Sequence, residues 1–69
     1  MPDSVYKVID VIGSSETSWE EAARKAIEVA GESVHNLRIA EVIKLDMKVE
    51  NGKPTAFRTR LNLSFKIDH

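Results

Sequence analysis

Apolar residues recur at helical spacing in one stretch of the chain, Thr17 to Val34, which reads TSWEEAARKAIEVAGESV. Trp19, Ala22, Ala23, Ala26, Ile27, Ala30 and Val34 follow one another at steps of three and four, the period of a single helix face. Ser18 followed three residues later by Glu21 has the form of a capping box, so the helix is expected to start at Ser18. Glu20 and Glu21 then occupy the first turn, where the positive end of the helix dipole favours acids. Arg24, Lys25, Glu28 and Glu32 lie off the stripe, and Arg24–Glu28 is a candidate i,i+4 pair. The stripe is mostly alanine, which permits close approach but buries little area per residue. A lone helix of this length is marginal in water and needs a surface to rest on.

The remaining stretches have a period of two. Val5 to Ile12 (VYKVIDVI) is rich in β-branched residues and reads as a strand. It is apolar on both faces, which points to burial on both sides and hence to a neighbouring subunit. Met1 to Ser4 read as a short tail, and Gly13-Ser14-Ser15-Glu16 as the turn into the helix. Gly31 either ends the helix or lies within it, and His35-Asn36 is the expected exit, with Asn36 suited to a left-handed conformation.

Leu37 to Val49 and Thr55 to Ile67 are two long half-buried strands joined at Glu50-Asn51-Gly52-Lys53, a hairpin signal. Leu37, Ile39, Ile43, Leu45, Met47 and Val49 share one face, with Glu41 as the exception. Phe57, Leu61, Leu63, Phe65 and Ile67 share one face of the last strand. A three-residue loop, Glu50-Asn51-Gly52, keeps the apolar faces together and sets Leu45 opposite Phe57 and Leu37 opposite Phe65, unless a bulge lies elsewhere in the ladder. The order is β-α-β-β, an α+β class. The simplest sheet places the last strand between the other two, antiparallel to both, with the helix on the apolar face.

With 69 residues the chain is expected to be one domain, residues 1–69. So short a chain buries a modest core and often relies on disulfides, metals or oligomerisation. Cysteine is absent, which excludes disulfides and cysteine zinc sites and leaves oligomerisation as the support. Ten basic and eleven acidic residues leave a net charge of -1, which points away from nucleic acid. No apolar run reaches membrane-spanning length and no signal peptide is visible, so the expectation is a cytoplasmic protein without a membrane partner.

Little in the sequence suggests catalysis. There is no nucleophile–base pair and no phosphate-cradling glycine loop, and an enzyme is not expected. Trp19, being on the helix stripe, reads as a core or interface residue rather than a ligand platform, and its indole N–H needs a partner. Glu41 is a ligand or ion contact, the partner of an arginine or lysine of a neighbouring subunit, or a side chain that reaches solvent at an edge. Asp10, Glu16, Asp46 and Glu50 are candidate calcium ligands. No EF-hand loop is present, and calcium takes six to eight oxygens, but a carboxylate near a three-fold axis of an oligomer becomes three. Arg38, Lys44, Arg58, Arg60 and Lys66 form an anion site, intersubunit ion pairs or a solvated face. His35 and His69 do not have metal-ligand spacing.

The chain resembles the dodecins along nearly its whole length: VYKVIDVIGSS at the start, TSWEEAARKAI in the helix, LRIAEV opening the second strand, and LNLSF near the end. The resemblance implies a three-stranded antiparallel sheet wrapped on one helix, with twelve copies forming a hollow shell. It also implies a non-enzymatic function, the storage or sequestration of flavins such as FMN, held between subunits. In flavin-binding members a tryptophan that stacks on the flavin precedes the segment reading AEV here, and this chain has Ile39 there. A glutamine of the last strand is replaced by Arg58, and an Arg-Gly of the second strand by Asp46-Met47. The family flavin-site region therefore maps onto Ile39, Glu41, Asp46 and Arg58. The replacements place the chain nearer the branch described as calcium dodecins. Two functions are thus expected of the homododecamer: binding of a flavin-type small ligand or, alternatively, a shell without flavin that holds calcium or another ion at subunit interfaces.

Overall fold

The computed structural model describes residues 3–67; Met1 and Pro2 of the expected tail, and His69, lie outside the described residues. Strand β1 (Tyr6–Ser15) leads to helix α1 (Trp19–Gly31), then to strands β2 (Leu37–Glu50) and β3 (Lys53–Lys66). The sheet order is β1-β3-β2, with β3 antiparallel to both neighbours. The β-α-β-β order, the central position of the last strand and the hairpin agree with the pattern in the sequence.

Strand β1 runs three residues beyond Ile12. Gly13, Ser14 and Ser15 pair with Thr59, Arg58 and Phe57, so the expected turn shrinks to Glu16–Ser18. Ser15 makes so short a turn possible, because its Oγ accepts from the N–H of Thr17 at 2.9 Å and of Ser18 at 3.4 Å. Ser18 is the N-cap, extended at φ -168, and its Oγ accepts from Glu21 N–H at 3.0 Å. Only that half of the capping box forms, since the Ser18 N–H goes back to Ser15. Arg24 pairs with Glu21 at 3.4 Å rather than with Glu28. At the other end the N–H groups of Ser33 and Val34 both reach the Ala30 carbonyl, and the chain then reverses at Asn36, φ 65.

The hairpin is a two-residue loop, not the expected three-residue one. Glu50 pairs with Lys53, and Asn51 and Gly52 take φ 52 and 77, the left-handed pair of a type I′ turn. The facing of apolar residues is restored further along by bulges in the β2–β3 ladder. Thr55 is the extra residue at the first, and its Oγ1 donates to the Lys48 carbonyl at 3.3 Å. Ile43 is extra at the second and Arg38 at the third. Leu45 consequently faces Thr59, and Met47 faces Phe57, while Leu37 does face Phe65. The Ile43 bulge also exchanges the two faces of β2. Ala40 and Val42 join the helix side, and Ile39 and Glu41 move to the outer side. Glu41 is therefore not the lone acid of an apolar face.

The helix lies over β1 and β3. Ala22, Ala26, Leu61, Leu63 and the hydroxyl-bearing Thr59 are buried, with Ile9, Val11, Ile27 and Leu37 packed around them. Thr59 donates to the Trp19 carbonyl at 2.9 Å. Alanine on one side and glycine on the other set the close approach: a Cβ on Gly13 would stand 2.0 Å from the Ala22 carbonyl oxygen. Most of β2 extends past the helix. Val42, Leu45 and Met47 on its helix side remain 45–53% exposed. The radius of gyration is 14.3 Å, against roughly 11 Å for a compact chain of this length. Among the described residues no helix is long and apolar enough to cross a membrane.

Candidate functional site

The outer sheet face carries the polar residues singled out in the sequence. β3 contributes Arg58, Arg60, Asn62 and Ser64 at every second position, and its neighbours present their own alternate residues beside them. Asp46 of β2 faces Arg58 and forms a two-pronged ion pair with it, Nε to Oδ1 at 2.8 Å and Nη2 to Oδ2 at 2.9 Å. Asp10 of β1 pairs in the same fashion with Arg60, whose Nε lies 3.1 Å from both carboxylate oxygens and whose Nη2 bonds Oδ2. The hydrogen bonds from the guanidinium groups hold both carboxyls below the ordinary carboxylate range and raise the two arginines.

Of the residues that map onto the family flavin site, the fold joins Asp46 to Arg58 but separates them from the other two. Ile39 lies opposite Ser64, and Glu41 opposite Asn62. Ser64 is six positions along β3 from Arg58, about 20 Å at strand rise. Within one chain these four residues are the two ends of one face, not one pocket. Ile39 is 65% exposed, and it offers a flat ring neither stacking nor a polar contact. Arg58 already gives two of its N–H groups, on Nε and Nη2, to Asp46.

The four candidate calcium ligands are likewise dispersed. Asp10 and Asp46 are each engaged by an arginine. Glu16 follows the end of β1 and borders an open cleft of about 330 Å³ with Met47, Pro54, Thr55, Ala56 and Phe57. Glu50 stands at the base of the hairpin opposite Lys53. Among the described residues no three Asp, Glu or His side chains converge where they could hold a metal. A calcium site built from these residues draws on more than one chain, because the ion takes six to eight oxygens.

Trp19 is half-buried at the start of the helix. Its Nε1–H donates to the Asp46 carbonyl at 3.0 Å, and its ring meets Phe57 edge-on at 5.0 Å and 72°. The helix is thereby fastened to the same residue of β2 that binds Arg58. Beside it, Glu20, Ala23, Val42, Leu45 and Thr59 border a second open cleft, of about 280 Å³. The two aspartate–arginine pairs escaped sequence reasoning because they depend on register. With the expected three-residue loop, Lys44 falls opposite Arg58 and Asp46 opposite Ala56. The charge of the facing residue gave no signal, since Lys44 lies opposite an arginine in either register, Arg58 in the expected one and Arg60 in the observed one.

A sequence model of the dodecin family matches residues 5–68. Calcium dodecin of Mycobacterium tuberculosis is 50% identical over 64 residues, covering 93% of this chain and 90% of that protein. The crystal structure of that relative, described as calcium-chelating with a novel calcium-binding site, superimposes with a TM-score of 0.84 at 49% identity, covering 94% of this chain and 93% of that one. Dodecin from Streptomyces coelicolor superimposes with a TM-score of 0.92 at 26% identity, covering all of this chain and 99% of the other. The element order, the antiparallel sheet around one helix and these matches agree: the chain belongs to the dodecin family.

Proposed function

We propose that this chain, as one domain over residues 1–69, is a non-enzymatic cytoplasmic binding protein that assembles with copies of itself into a hollow twelve-subunit shell and binds calcium at carboxylates gathered between subunits. The observation that carries this reading is the half-identity to calcium dodecin over almost the full length. The site residues support it. A flavin needs an aromatic face to stack on, which Ile39 does not offer, and the Nε–Nη2 edge of Arg58 is already taken by Asp46. Calcium needs oxygens, and the chain exposes Glu16, Glu41 and Glu50 without an ion pair among the described residues, in addition to Asp10 and Asp46. Flavin storage, the function of the family's best-known members, is the second reading and rests on family membership alone.

The test is calcium titration of metal-stripped protein followed by calorimetry and by thermal melting, with an FMN fluorescence titration in parallel. Saturable calcium binding with a rise in Tm of several degrees, absent with magnesium and weakened in Glu16→Gln/Glu50→Gln, is the expected result. Quenching of FMN that saturates at one flavin per two or fewer subunits, with no response to calcium, would reverse the order of the two readings.

A further inference from the structure

Asp46 sits among cations. On the outer face of β2 its same-side neighbours are Lys44 and Lys48, each about 7 Å along the strand, and across the ladder it faces Arg58, with Arg60 opposite Lys44. Lys44, Lys48 and Arg58 thus flank one carboxylate, while Arg60 is itself held by Asp10. The two oxygens of Asp46 fill the fork of Arg58 as two oxygens of a phosphate would. We infer that Asp46 is a built-in surrogate anion, occupying a seat formed by Arg58, Lys44 and Lys48 that would otherwise take phosphate or pyrophosphate. In this chain, then, the Arg58 fork is screened from phosphate-bearing ligands by a residue of the neighbouring strand. A dissolved anion must displace a tethered one, and the tether gives Asp46 a large effective concentration at the fork. The inference stands whether or not the shell binds calcium, since it concerns the calcium-free protein.

The prediction is read with pyrophosphate, by titration calorimetry in calcium-free buffer at low and high salt. The wild type should bind weakly. Asp46→Ala should bind at least tenfold tighter, with an affinity that falls steeply as salt rises. Asp46→Ala/Arg58→Ala should return to the wild-type level. Glu41→Ala removes the same charge from the same face without touching an arginine, and should gain less than threefold. Circular dichroism and sedimentation establish that each variant keeps the wild-type fold and mass. Should Asp46→Ala fail to fold, Asp46→Asn, which keeps the side chain's shape, replaces it with the same expectation. The inference is overturned if removing the Asp46 charge leaves pyrophosphate binding at the wild-type level, if Glu41→Ala gains as much, or if the gain survives loss of Arg58.

Discussion

Gly13 stands where the helix and β1 come nearest, and no side chain fits there. A methyl group at that position meets the Ala22 carbonyl oxygen at 2.0 Å and the Ala26 Cβ at 2.9 Å. Gly13→Ala must push the helix off the sheet, and should cost about 3 kcal/mol, at the upper end of ordinary overpacking, read as a lowered urea midpoint. The sequence placed Gly13 in a turn, because a glycine followed by two serines carries turn signals; that its service is steric is visible only with the helix above it. The aspartate–arginine pairs make a separate prediction. The folded-state pKa of Asp10 and of Asp46 is depressed, so their contribution to stability is present above the unfolded carboxylate value, about 4. It is lost as pH falls below that value through the depressed folded one. Both pairs are open to solvent, so salt should shrink the effect. Melting temperature should fall across that acid window in the wild type and fall less in Asp10→Asn/Asp46→Asn, most visibly in dilute buffer.

Secondary-structure elements were largely legible, because helix and strand periodicity are local. The stripe from Trp19 to Ala30 and the cap at Ser18 need no knowledge of distant residues. Ser18→Ala should cost about 1 kcal/mol through the lost bond to Glu21 N–H, measured by chemical denaturation. What was not legible was the sum of small insertions along the hairpin. The Asn51–Gly52 turn alone would mismatch the strands, and the extra residues Thr55, Ile43 and Arg38 repair the match piecewise. A bulge leaves alternation on each side intact and changes only its phase. Ile39 and Ile43 conceal that change, since both are apolar. The surviving sign was the acid at 41 beside apolar residues at 40 and 42. The candidate site suffered the same loss, as partners across a ladder can be named only once its phase is known.

At the scale of the whole molecule, 69 residues cannot wrap both faces of a hairpin 14 residues long on each side. The helix, 13 residues, covers one end. Ile39, Val42, Leu45, Met47 and Val49 on β2, with Val8 and Ile12 on β1, stay exposed. The proposed shell gives these residues a burial partner. Sedimentation should therefore return about twelve times 7.7 kDa, and Leu45→Asp should lower the mass while a particle of single-chain mass in the wild type would sink the shell. The bond from the single tryptophan to the Asp46 carbonyl then has a practical consequence. The molecule carries one optical gauge, mounted where the helix grips the strand that bears the candidate ligands. Any occupant that shifts β2 there should change the colour of its emission, so binding can be watched without a label.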